Sequence, residues 1–317
     1  EPFDLYRELR PRLVRIVARI VLGDVPLARD DAWLRDVDAL MDFPGRPMLE
    51  QQWKLPIPGT PWARFTAARR RVDRALYAEI ARRRGDGAEA APAASHDPPH
   101  DDVLSLLMVP RDGDRHDTGD RGDHGDRAAR DGALSDLELR DQSLSLISAG
   151  FDTTAAALSW CLAMADEHPS DGARLADELA HGDPVAAQAA PFTDAFVKET
   201  LRLRPPAAAA LRRTVREVEI LGHAVPAGSR VALSILRTQL DPDAFEAPDR
   251  FDPQRFLRGE PPPFTYLPFG YGARHCIGGG TATALVKTVL ALTLGRYRVQ
   301  PLGSGPRKPV GMTLHPE

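Results

Sequence analysis

Phe269-Gly270-Tyr271-Gly272-Ala273-Arg274-His275-Cys276-Ile277-Gly278 brings a cysteine, an arginine two positions before it and three glycines into one short stretch. A structural zinc site needs four protein ligands, so a lone cysteine cannot build one. A lone cysteine in a stiff turn can serve as the axial thiolate of a haem iron. A thiolate is stabilised by positive potential, and a helix N-terminus supplies it. Thr281, Ala282, Ala284, Leu285, Val286, Val289 and Leu290 follow with helical apolar spacing, which predicts a helix beginning at Cys276 and running to about Leu294. Free backbone N–H groups at its start can point at the sulfur. The glycines let the chain turn sharply and approach a flat macrocycle. Arg274 is placed for a charge-assisted bond to a carboxylate of such a group. Cys161, by contrast, lies in an apolar helical stretch and reads as an inert core residue.

Two further constellations precede this loop. Ala149-Gly150-Phe151-Asp152-Thr153-Thr154 sets a carboxylate and two hydroxyls inside an otherwise apolar helical run. Such groups are poor helix formers and costly to bury. A local kink from threonine back-bonding is the plainest structural reading. Glu199 and Arg202 form E-x-x-R, with both side chains on one helix face. Arg204-Pro205-Pro206 follows, and later Pro248-x-x-Phe251-x-Pro253-x-Arg255-Phe256.

The loop from Phe269 to Gly278 fills every fixed position of F-x-x-G-x-R-x-C-x-G and resembles the haem-binding loop of the cytochrome P450 superfamily. Residues 149–154 resemble its central helix, which crosses the distal face of the haem. There the glycine makes room for dioxygen, and the acid and threonine relay protons. The resemblance assigns catalysis to Asp152 and Thr153 and iron ligation to Cys276. It assigns haem contact to Cys276, Arg274, Phe269, Gly270, Ile277, Gly278, Ala149, Gly150 and Arg212, the last with Arg213 beside it. Glu199, Arg202 and Arg255 take the family's structural lock behind the haem loop. Implied with them are haem b, O2, a small hydrophobic organic substrate, and a separate electron donor such as a ferredoxin with its reductase. The family's first helices and most of its β-rich part have no counterpart. The expected fold is therefore mainly α with a small β portion, one N-terminally incomplete domain over 1–317. Gln239 stands where the family often has histidine. Two other readings stand beside haem-thiolate monooxygenation: a truncated haem binder or pseudoenzyme, and a cysteine hydrolase using Cys276 and His275.

The elements that must position these groups follow from patterning. Helices are expected over Leu5–Leu22, Ala28–Met41, Trp62–Arg84, Asp102–Met108, Leu139–His168 and Ala195–Leu203. The third should end at Arg82-Arg83-Arg84-Gly85. Ser135 with Glu138 forms a capping box. Short strands are expected at Val218–Leu221, Ala224–Val225 and Arg230–Leu233. Residues 44–61 read as a proline-rich connection, 88–99 as a linker, and Arg111–Gly132, rich in Asp, Arg, Gly and His, as a disordered insertion. The 317 residues suffice for a sizeable core. A net charge of −4 offers no basic field for nucleic acid. Two dissimilar cysteines suggest a reducing, cytoplasmic setting. No uncharged apolar run spans a bilayer, and Leu5–Leu22 carries five arginines on an amphipathic helix.

Overall fold

The computed structural model describes residues 3–43, 52, 54–90, 101–109, 133–299, 309–310 and 313–316. The expected insertion at 111–132, half of the connection at 44–61 (44–51 and 53) and the linker from 91 onward lie outside the described residues. Contacts gather into two compact units, Arg7–Asp152, and Glu1–Tyr6 with Thr153–Glu317. The sequence suggested one domain; the boundary between the units falls inside one continuous helix.

The first unit is helical. α1 (Leu5–Leu22) buries Leu13, Val14, Val17, Ala18, Val21 and Leu22. Two of its arginines pair on the exposed side, Arg12 with Glu8 and Arg19 with Asp24. After the short α2 (Pro26–Arg29), Asp30 caps α3 (Asp31–Asp42) by accepting from the Ala32 and Trp33 amides at 2.8 and 3.3 Å. α4 (Pro61–Ala90) continues through Gly85, so the expected stop at that glycine is wrong. Glycine costs a helix only about 1 kcal/mol against alanine. Arg83, just before it, is buried and bonded to Glu79, to Asp102 at 2.8 Å, to Ser105 at 2.7 Å and to the Leu22 carbonyl. Asp102 in turn caps α5 (Val103–Met108).

α6 (Asp136–Glu167) starts at the expected capping box. The Ser135 amide donates to Glu138 at 2.9 Å, and the Glu138 amide donates to Ser135 Oγ at 3.3 Å. By length and composition α6 could cross a membrane, but 72% of its most apolar window is buried inside the protein. That is the behaviour of a core helix.

In the second unit, the remainder of α6 buries Ala155, Leu158, Trp160 and Cys161. α7 (Pro169–Glu178), α8 (Pro184–Ala189) and α9 (Pro191–Leu203) each begin at proline, which suits a first helical position. α9 is buried along most of its length, and Pro205-Pro206 follows its end. Strands β1 (Ala209–Arg213) and β4 (Arg230–Ser234) pair antiparallel, as do β2 (Val218–Ile220) and β3 (His223–Val225). β1 was not anticipated, since Ala-Ala-Leu-Arg-Arg lacks the β-branched alternation of a strand. α10 (Ile235–Gln239), α11 (Gln254–Arg258) and α12 (Gly279–Leu294) complete the helices, and β5 (Pro309–Val310) pairs with β6 (His315–Pro316).

Candidate functional site

The cysteine loop is built from its own backbone. The Gly270 amide donates to the Leu267 carbonyl at 2.9 Å, the His275 amide to Gly272 at 2.9 Å, and the Cys276 amide to Phe269 at 2.8 Å. Gly270 and Gly272 take φ of +69° and +71°, a region that L side chains rarely enter. The loop therefore closes on itself across Cys276. The Gly279 amide then donates to the Cys276 carbonyl at 3.3 Å and opens α12. The sulfur stands just ahead of a helix N-terminus, as the sequence suggested, although the regular helix begins at Gly279.

Cys276, Arg274 and His275 are exposed, and Ile277 leaves 87% of its surface open. Phe269, Gly270 and Gly278 are half-buried. Among the described residues, no hydrogen bond joins His275 to the Cys276 thiol, and a hydrolase would need that contact. Cys161 behaves oppositely: it is fully buried, and burial pushes its thiol up to about 12, against a weaker opposing hydrogen bond from Thr200. That thiol is inert core, as expected.

Behind the loop lies a charged knot. Glu199 and Arg202 are both 0% exposed. Arg202 Nε and Nη2 grip the Glu199 carboxylate at 2.7 and 2.9 Å. Its other contacts go to carbonyls of the irregular stretch: Gln239 at 2.8 Å, Pro248 at 2.7 Å and Arg250 at 3.2 Å. Arg255 Nε reaches Glu199 at 3.1 Å, and the Asp252 amide donates to the same oxygen at 2.8 Å. Both guanidinium groups lie over the Phe245 ring. Glu199, Arg202 and Arg255 are thus brought together. Tyr266 donates to the Lys198 carbonyl, and burial, with Asp194 and Glu199 nearby, raises its hydroxyl well above the usual phenol range.

Sequence reasoning missed the part played by Gln239. It is fully buried, donates to the Leu201 and Arg202 carbonyls at 3.1 and 2.9 Å, and accepts from the Leu267 amide at 2.9 Å. It joins the end of α9 to the residues entering the cysteine loop. The only signal in the sequence was its departure from the usual residue there.

Arg212 and Arg213 are adjacent on β1 and point to opposite faces. Arg213 donates to the Gly228 carbonyl at 3.2 Å, tying the turn before β4, whereas Arg212 donates to its neighbour Leu211.

On α6, Asp152 and Thr154 are buried, Thr153 is half-buried and Ala149 is exposed. Ala149 and Thr153 are four apart and share one face, an open strip on a mostly buried helix. A Cβ on Gly150 would lie 2.9 Å from Val17 Cγ1 of α1. The missing side chain is what allows α1 to approach. Asp152 Oδ1 lies 3.2 Å from Arg10 Nε, and Arg10 also stands over the Phe151 ring. Asp152 belongs to the first unit and Cys276 to the second.

The sequence profile of the family described as Cytochrome P450 matches residues 27–316. The chain belongs to the cytochrome P450 family. It is similar to the Mycobacterium tuberculosis protein named cytochrome P450 135B1, 34% identical over 251 residues, covering 78% of this chain and 48% of the relative. It is also similar to cytochrome P450 139 of Mycobacterium bovis, 30% identical over 311 residues, covering 94% of this chain and 66% of the relative. The chain thus spans about half the length of the first of these relatives. In fold it is similar to a cyanobacterial cytochrome P450 with retinoic acid bound, TM-score 0.78 at 23% identity, covering 98% of this chain and 67% of the other. The haem domain of cytochrome P450DA gives TM-score 0.76 at 20% identity, covering 100% and 67%.

The family implies a haem, and the residues of the loop fit one. Among the described residues no group of three His, Cys, Asp or Glu could hold a metal, so a metal at Cys276 needs its other ligands from a cofactor. An exposed thiol in a rigid turn beside an exposed apolar Ile277 and the cationic Arg274 would offer such a group one iron ligand, an apolar contact and a carboxylate partner.

Proposed function

We propose that the whole protein carrying this chain is a haem-thiolate monooxygenase acting on a small hydrophobic organic substrate. Bound haem would supply dioxygen reduction and oxygen transfer, with electrons from a separate donor such as a ferredoxin with its reductase. Cys276 would hold the iron, and its sulfur is kept in place by the Cys276–Phe269 backbone bond and the helix start behind it. Arg274 and Arg212 would pair with the propionates. Phe269, Gly270, Ile277 and Gly278 would line the proximal side, and Ala149 and Gly150 the distal helix. Asp152 and Thr153 would move protons, Thr153 Oγ passing a proton toward the oxygen side and Asp152 resupplying it. Glu199, Arg202 and Arg255 hold the chain that carries the loop. The protein's setting is read as cytoplasmic.

The observation that carries this reading is the exposed Cys276 in a backbone-locked glycine turn, set ahead of α12. The test is the absorption spectrum of the reduced, carbon monoxide-bound whole protein. A red-shifted Soret band of the thiolate type is expected, and Cys276→Ala should abolish it. A Cys276→Ala variant that keeps the band overturns the assignment.

A further inference from the structure

α12 follows closely on Cys276, and its composition gives it little hold on its own position. It begins with Gly279-Gly280, and the rest of it is Ala, Leu, Val and Thr with one exception, Lys287. Apolar surfaces attract without direction, so such a helix can settle at more than one offset along its neighbours. A polar contact at a buried position selects one offset, and fixing register is the best-attested use of a buried ion pair.

Lys287 makes that contact. It is 6% exposed, and its Nζ lies 2.6 Å from Asp194 Oδ1 on α9 and 3.4 Å from the Gln188 carbonyl on α8. The Gln188 side chain answers: its Nε2 lies 3.3 Å from the Ala284 carbonyl and 3.2 Å from Thr288 Oγ1. Residues 284–288 are thus pinned to two neighbouring helices, with Lys287 about 12 Å along the axis from Gly279. The cysteine loop holds its own shape by backbone bonds, but Arg274 to Ile277 are exposed, so its place is set where its two ends leave it. The entering end is tied to α9 through Gln239 and through Tyr266, which donates to the Lys198 carbonyl at 3.2 Å. The Lys287–Asp194 pair ties the leaving end to the same helix.

We propose that Lys287 is a positioning residue for Cys276: its ion pair with Asp194 sets the axial position of α12 and, with it, the place of the sulfur. The proposal rests on the haem-thiolate reading for what the sulfur binds; the pin between the helices stands without it. A ligand atom must be held within roughly 0.5 Å of its productive place. A helix that shifts by this much carries the sulfur along, because the Gly279 amide is bonded to the Cys276 carbonyl.

Lys287→Met keeps an apolar stem and leaves Asp194 paired with Lys198 at 3.2 Å, so no buried charge is orphaned. In the whole haem-loaded protein this variant should melt close to wild type. The ratio of thiolate-type to thiol-type bands in the reduced, carbon monoxide-bound spectrum should nevertheless fall about 2-fold or more, the low end of coupling between contacting residues. The Cys276 and Ala282 amides, bonded to the Phe269 and Gly278 carbonyls, should exchange faster, while those of α9 stay as slow as before. Lys287→Arg, which keeps the pair, should restore both readouts. Lys198→Met, which removes the other cation from Asp194, should leave both unchanged. If Lys287→Met does not accumulate, Asp194→Leu with Lys287→Met replaces the whole pair by apolar groups and carries the same test.

A band ratio and amide exchange at the wild-type level in the variant lacking the pair overturn the proposal. So does a loss that Lys287→Arg fails to recover, or an equal loss in Lys198→Met. A Cys276→Ala variant that keeps its thiolate-type band would instead sink the haem-thiolate reading, while exchange at Ala282 would still report on the pin.

Discussion

Three hydrogen bonds meet at the Gln239 side chain, buried ones to the Leu201 and Arg202 carbonyls and a part-buried one from the Leu267 amide. Gln239→Leu would leave all three backbone groups without that partner, two of them fully buried. Each unmet group costs about 1–3 kcal/mol, so thermal stability and haem content of the whole protein should both fall sharply. Gln239→His, which keeps a donor and an acceptor, should recover much of the loss; full stability in Gln239→Leu would show that water serves these groups equally well. At this scale, legibility depended on whether partners are near in sequence. The pattern around Cys276 and the pairs Asp152-Thr153 and Glu199-x-x-Arg202 are written in adjacent positions. Gln239 bonds mostly to backbone, which has no letter in the sequence. Arg10 meets Asp38 and Asp152 only after three helices have packed, so nothing separated it from its neighbouring arginines.

Helix α1 reaches α6 at Gly150, where an added methyl would stand 2.9 Å from Val17 Cγ1. Overpacking of this kind costs about 1–3 kcal/mol. Gly150→Ala should therefore lower the melting temperature, and adding Val17→Ala should restore most of the loss. If Gly150→Ala is as stable as wild type, the helices have room to spare and the close approach is not tight. The family resemblance gives this glycine to dioxygen; the packing with Val17 gives it a second duty, one that no motif encodes. Element boundaries show the same limit. The capping box at Ser135 was legible because it depends on local chemistry, whereas α9 was expected from Ala195 and in fact begins four residues earlier, at Pro191, and α8 was not expected at all. Gly85 failed as a stop because the buried Arg83 network draws its partners from α1 and α5. β1 was missed because its identity as a strand comes from its register with β4 and not from its alanines.

At the scale of the whole molecule, family and helical architecture were readable from three short motifs in the right order. The division of contacts into two units was not, since it falls inside an unbroken helix with no change of composition. Between α10 and the cysteine loop, residues 240–268 hold one short helix, α11, and would pass for a loop. Their anchor is the Glu199–Arg202 pair, 0% exposed, together with Gln239. In terms of hydrogen exchange, that anchor turns an irregular segment into part of the slowest clock in the protein. The Asp252 amide, bound to the Glu199 carboxylate, and the Leu267 amide, bound to Gln239, have no local opening that leaves the core intact. Both should exchange only with global unfolding, at the pace of α9, while Phe264, exposed between them, exchanges early. Fast exchange at Asp252 and Leu267 would mean that the knot opens by itself. Slow exchange would mean that the chain delivering the cysteine is as permanent as the helix beneath it.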